Sequence, residues 1–230
     1  MIDFQSPDIF PQAKSWRIQS DPAPSEVSKD GFIDMEFRLT YRGPLRSASR
    51  SNSRADDKHA IRKQFHLQLQ EYWKSHPQLK HLLEVGNFQG QSVVSQIAGQ
   101  FLRGLHSFVP LARKREDGYC SLNILFLRRD IPGLIVSGGG DLDNRLKTLL
   151  DALQVPDVTD GLPATVEAGY DPIYCLLQND NQITAINVVT DRILTPIGDD
   201  EHKDDVLLVI HVHLFRGTNV AQIMGLPGSA

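Results

Sequence analysis

The run Gly138-Gly139-Gly140-Asp141-Leu142-Asp143-Asn144-Arg145-Leu146-Lys147-Thr148-Leu149-Leu150-Asp151-Ala152-Leu153 narrows what this chain can fold into more than any other stretch. Three glycines break the apolar Leu134-Ile135-Val136, and the residues after them change to a helical period. At about 100° per residue, Leu142, Leu146, Leu149, Leu150 and Leu153 share one arc of a helix over 141–154, with Asp143, Lys147 and Asp151 at i, i+4 and i+8 beside it. The leucines bury and the charges stay at the rim. A strand, a glycine turn and an amphipathic helix imply a sheet for that helix to cover, so the class is α/β.

Asp141 falls at the helix N-cap, where free backbone N–H groups and the helix dipole welcome a carboxylate. Capping does not account for Asp143, because two carboxylates this close repel unless a cation or protons neutralise them. Mg²⁺ answers that need, since it takes one or two protein carboxylates and keeps positions open for phosphate and water. Helix starts are rich in Asp and Asn in any case, so the pattern alone also fits plain capping. An EF-hand loop is excluded, because Arg145 and Leu146 stand where it requires an oxygen ligand and Gly.

A second acidic element, Asn179-Asp180-Asn181-Gln182-Ile183, leads into the β-rich stretch 183–191. Taken alone, Asp180 reads as a turn aspartate between asparagines. Taken together, Asp141-Leu142-Asp143-Asn144-x-x-Lys147-x-x-x-Asp151-Ala152-Leu153 and this later element resemble the RusA family of Holliday-junction endonucleases. The resemblance covers 138–191 and fades toward both ends. It implies that Asp141, Asp143 and Asp180 hold Mg²⁺, with Mn²⁺ as a substitute, and that Lys147 is needed for cleavage. Asn144 would hold a carboxylate or the substrate by hydrogen bonding, and Asp151 would pair with Lys147 at i+4. It further implies a mixed β-sheet flanked by helices and a homodimer that makes paired nicks across branched DNA, since a two-fold substrate matches a two-fold assembly. Two rivals stay open: a nuclease of the same fold acting on other branched DNA, and a non-catalytic branched-DNA-binding protein whose aspartates only cap and turn.

The chain has 230 residues and is 40% hydrophobic, enough for a sizeable core. No apolar run approaches the ~20 residues of a membrane span, and Met1-Ile2-Asp3 begins no signal peptide, so a soluble cytoplasmic protein with no membrane partner is expected. Cys120 and Cys175 each sit in apolar surroundings and read as buried thiols; with no second C-x-x-C pair, zinc ribbons are excluded. The net charge of −4 hides an asymmetry. Residues 1–129 hold 19 Lys+Arg against 13 Asp+Glu (+6), and residues 130–230 hold 5 against 15 (−10). The basic half suits phosphate contacts and the acidic half a metal, although solvated surface also fits.

Residues 1–30, with Pro7, Pro11, Pro22 and Pro24, read as an N-terminal extension, 31–216 as a single RusA-like nuclease domain, and 217–230 as a C-terminal tail. Ile33, Met35, Phe37, Leu39 and Tyr41 alternate with polar residues as in a strand. Arg42, Arg46, Arg50, Arg54, Lys58, Arg62 and Lys63 follow as candidate DNA contacts, two of them in the polar segment 47–54. Asp56 or Asp57 can cap a helix over about 56–75 with Ile61, Phe65, Leu69, Tyr72 and Trp73 on its apolar face. His59 and His66 lie off that face and read as surface or phosphate-contacting residues, and Pro77 closes the helix. Residues 78–92 read as irregular, and 77–117 as an insertion relative to compact members of the family; Arg113 to Gly118 reads as a hairpin-like turn before a strand carrying Cys120, Leu122, Ile124 and Phe126. Residues 155–172 form a second insertion, a long loop whose Asp157, Asp160 or Glu167 compete with Asp180 as an extra ligand. The acidic run 199–205 reads as a solvated loop. A last strand over 206–215 places His211 and His213 on one side, with no third ligand evident.

Overall fold

The computed structural model describes residues 35–47, 54–84, 90–129, 142–157, 161–194 and 204–216. The alternating segment near the start becomes β1 (Met35–Pro44), which buries Met35, Leu39 and Tyr41 and exposes Glu36, Arg38, Thr40 and Arg42. The helix after it is α1 (Ala55–Ser75), with Ile61, Phe65, Leu69 and Trp73 all buried at four-residue intervals. Tyr72 on its flank stacks on Phe37 with ring centroids 4.2 Å apart, tying α1 to β1.

The start of α1 is not built as the sequence suggests. Arg54, in the left-handed conformation at φ 57°, holds the N-cap position, so Asp56 and Asp57 fall in the first turn instead of capping it. There they still favour the dipole. At the other end the proline closes the helix as expected and also begins the next one. His76 is extended (φ −75°, ψ 123°), as residues before proline are, and Pro77 opens α2 (Pro77–Glu84) at the first helical position. Part of the segment read as irregular is therefore helical, and α3 (Val93–Gln100) follows, with Ser92 accepting the Ser95 N–H at 3.1 Å.

The remaining elements are β2 (Leu102–Arg103), β3 (His106–Ala112), β4 (Gly118–Arg128), α4 (Leu142–Leu153), β5 (Ile173–Leu177), β6 (Ile183–Arg192) and β7 (Asp205–Arg216). They form two sheets, ordered β1-β7-β4-β6 and β2-β3-β5, where one mixed sheet was expected. β7 runs antiparallel to both β1 and β4, whereas β4 and β6 are parallel, as are β3 and β5. Parallel neighbours need a crossover, and between β4 and β6 the chain passes through α4 and β5. Residues 113–118 are not a hairpin turn. A one-turn 3-10 helix (Lys114–Glu116) and the left-handed Asp117 carry the chain from the second sheet to the first.

One apolar cluster joins the layers, drawing Leu39 from β1, Phe65 from α1, Leu122 from β4, Leu149 from α4, Leu176 from β5 and Ile210 from β7. Each such side chain adds roughly 1.5–3 kcal/mol by leaving water. Cys120 and Cys175 are buried free thiols, as expected, and burial pushes both up to about 12. No described helix is long and apolar enough to cross a membrane.

Candidate active site

Asp141 and the three glycines lie outside the described residues, so the site is built from α4 onward. Leu142, Thr148, Leu149, Ala152 and Leu153 turn inward, and Leu146 and Leu150 pack half-buried at the margin of the same face. Asp143, Asn144 and Lys147 are exposed on the opposite side. The helix therefore presents three motif side chains outward from its first two turns. Thr148 donates its hydroxyl to the Asn144 carbonyl at 3.1 Å, which keeps the hydroxyl satisfied within the helix.

Asp151 does not pair with Lys147. Its Oδ2 lies 2.8 Å from Nζ of Lys58 on α1, and its carbonyl accepts a hydrogen bond from Arg62 at 3.0 Å. Both cations are buried, Lys58 at 7% and Arg62 at 2% exposure, so neither can meet a DNA backbone and both leave the set of candidate contacts. Their work is to clamp α1 against α4. Arg145, 2% exposed, reaches Asp204 at 3.4 Å, and Arg46 reaches Asp204 at 3.6 Å and Asp57 at 3.9 Å. Arg54 adds a pair with Asp57 at 3.7 Å and a hydrogen bond to the Ser47 carbonyl at 3.4 Å. Arg42 is exposed on β1, and Arg50 lies outside the described residues.

Lys63 is half-buried, bonded to both oxygens of Glu167 at 2.8 Å and placed 5.1 Å from the centre of the Tyr170 ring. That hydrogen bond holds the Glu167 carboxyl below its ordinary range and removes Glu167 as a spare metal ligand. Asp157 is exposed beyond the end of α4, and Asp160 lies outside the described residues.

The histidines of α1 are also not surface groups. His66 is fully buried; its Nδ1 accepts the Tyr174 N–H at 2.9 Å and its Nε2 lies 3.1 Å from the Gly169 carbonyl. His59 is buried with its ring edge-on to His106 at 5.7 Å, and desolvation first, then the Arg62 charge, brings it down to about 4. On β7, His211 and His213 do share the outward side, with His211 3.4 Å from Glu36.

Asp180 occupies a different place from Asp143. It opens a one-turn 3-10 helix (Asp180–Gln182) at the mouth of β6, capped by Asn179, and its N–H donates to Gln154 Oε1 at 2.7 Å. Gln154 follows the last residue of α4, whereas Asp143 sits in the first turn. At ~1.5 Å rise per residue the two anchor points are roughly 16 Å apart along the helix. One chain thus keeps Asp180 away from the start of α4, and no cluster of three or more His, Cys, Asp or Glu able to hold a metal occurs among the described residues. The neighbouring Gln182, 2% exposed, accepts from the N–H groups of Gln178 and Asn179 at 3.1 Å and donates to the Gly118 carbonyl at 2.7 Å. The glutamine of this element is a bracket joining the mouths of β4 and β6.

Arg145 is the residue whose structural role the motif conceals. At about 100° per residue it falls between Leu142 and Ala152 on the inward arc, so the helical wheel itself carries the signal of its burial. Compared with known proteins, the chain is matched by no family model, no curated protein and no solved structure.

Proposed function

We propose that this chain is a divalent-metal-dependent endonuclease of RusA type that cuts branched DNA, with four-way junctions as substrate. The observation that carries the reading is the freedom of Lys147. Its obvious neutralising partner, Asp151, is taken by Lys58, and Lys147 is exposed with no ion pair among the described residues, one turn from Asp143 and beside Asn144. A structural lysine would be expected to keep its i+4 partner.

The donor set fits a metal in part. Two carboxylates at a helix start, Asp141 and Asp143, match the number Mg²⁺ or Mn²⁺ draws from protein, the other positions going to water and phosphate. Asp180 does not fit as a third ligand from the same chain, given its hydrogen bond at the far end of α4. When bound, such an ion polarises a phosphoryl oxygen and acidifies water. In this reading Lys147 meets the negative charge that develops on the phosphate, and Asn144 orients a carboxylate or the substrate by hydrogen bonding. Arg42 and Arg46 supply backbone contacts from the basic half.

The remoteness of Asp180 favours one second reading, a branched-DNA-binding protein without catalysis. A labelled synthetic four-way junction, with linear duplex as control, separates the two. Nicks that require Mg²⁺, stop in EDTA and disappear in Asp143→Asn support the nuclease. Tight junction binding with no cutting, unchanged by that substitution, establishes the binding protein instead.

A further inference from the structure

Along β4 the positions that turn to the core hold Cys120, Leu122, Ile124 and Phe126, and the next one in the alternation holds Arg128, 1% exposed. Its Nε and Nη2 are buried and find no hydrogen-bond partner, and its guanidinium makes no ion pair among the described residues. The buried arginines Arg62 and Arg145 differ, since one donates to the Asp151 carbonyl at 3.0 Å and the other reaches Asp204 at 3.4 Å. A buried cation with no counter-charge is strongly unfavourable. Strand register sharpens the problem. Arg128 is in register with Arg192 on the parallel β6, and residues so placed point to the same side of the sheet. Like charges side by side repel, and the exposed Arg192 side chain also has no ion pair among the described residues. The acids close in register do not help. Asp204, two residues before the Val206 that faces Arg128, is shared by Arg145 and, at 3.6 Å, Arg46. Asp191 alternates to the other face and accepts the Arg192 N–H at 2.7 Å.

We propose that Arg128 and Arg192 form a site for a phosphate group at the carboxyl ends of β4 and β6. The two unpartnered nitrogens of Arg128, Nε and Nη2, lie along one edge of the guanidinium. Their N–H groups run parallel, the fork that grips two oxygens of a single phosphate or carboxylate. A carboxylate spends both oxygens on that fork, whereas a tetrahedral phosphate keeps others for Arg192. The anion also supplies the negative charge that separates two guanidiniums in register. Arg192 stands on the solvent side of the pair and Arg128 behind it, so the ligand sits where an exposed cation meets a buried one. The place is the one where open α/β sheets take ligands, beyond the carboxyl ends of parallel strands. The start of α4 comes to the same end, since Arg145, its fourth residue, reaches Asp204.

The inference stands apart from the nuclease reading, and its test reads thermal stability, not cleavage. Millimolar inorganic phosphate, set against sodium chloride of equal ionic strength, raises the melting midpoint of the full chain along a one-site curve, by about 3–5 °C at ten times the dissociation constant. Arg192→Ala, at an exposed position, weakens that affinity about tenfold. Arg128→Met abolishes the response and, in chloride, melts no lower than the native chain, because it removes a charge that chloride leaves unpaired. A short DNA duplex then names the source of the phosphate. If it raises the phosphate needed for half the response, the occupant is a backbone phosphate; if it does not, the occupant is free phosphate, and the site stands in both cases. Coincident native curves in the two salts overturn the proposal. So does an Arg128→Met that melts equally far below the native chain in both, which makes Arg128 structural, or an Arg192→Ala with an unaltered response.

Discussion

Along α4, Arg145 and Asp151 are met by groups from elsewhere in the chain, Asp204, Lys58 and Arg62, whereas Asp143 and Lys147 stand exposed. The four alternate within nine residues of one helix, so local sequence cannot distinguish them by type. What separates them is angle and distant partners: the first pair joins α4 to α1 and to the start of β7, and the second pair lies on the exposed side of the helix. The same division runs through the basic residues, with Lys58 and Arg62 buried and Arg42 outside.

Breaking the buried side should cost the fold most. Asp151→Ala strands the Lys58 ammonium without a counter-charge, and urea unfolding should show a loss of about 3 kcal/mol. Pairing Asp151→Leu with Lys58→Met should recover most of it, because neither half of the ion pair is then left buried without its partner. The exposed side should respond oppositely. Lys147→Ala should leave stability within about 0.5 kcal/mol while junction cleavage falls at least about a hundredfold; an equal loss of stability would assign Lys147 to the scaffold.

Acid should probe the buried side again. Burial depresses His59 to about 4 and also lowers His66, so the native state keeps them neutral while the unfolded chain protonates them near its ordinary value of about 6.5. The unfolded state then binds more protons, and stability, full above pH ~6.5, should drop as pH falls toward 4, on the order of 1 kcal/mol by pH ~5. His59→Gln should flatten that slope in unfolding curves taken across this range. The smallest effect sharpens the division among the cations. Arg42→Ala should reduce the slope of log binding constant against log salt by about 1, and Lys58→Met should leave the slope unchanged.

Much of the scaffold was legible from periodicity. The apolar faces of α1 and α4 and the alternation of β1, β4 and β7 are local patterns, and the structure places elements at those positions. β3 was not legible, because all seven of its residues are buried and so nothing alternates, and Pro110 argues against a strand. Of the candidate site, the position of Asp180 at a strand mouth was legible, but not its distance from the first turn of α4. Gln154, which holds Asp180 at the far end of α4, looks like any helix-terminal glutamine. Lys58, Arg62 and His66 read as surface because cations and imidazoles on a helix flank usually are, and the groups that satisfy them lie 89 to 108 residues away, beyond any local window.

The position of β7 also bears on how the chain comes into being. This strand is the final described element in chain order, yet it lies between β1 and β4 in the sheet. During synthesis from the N-terminus, those two strands emerge with their facing edges unpaired, and nothing can join them until residues 205–216 have left the ribosome. The first sheet is therefore assembled late and from its middle, by pairings that span most of the chain, which makes its formation slow and its half-made state dependent on protection from neighbouring chains.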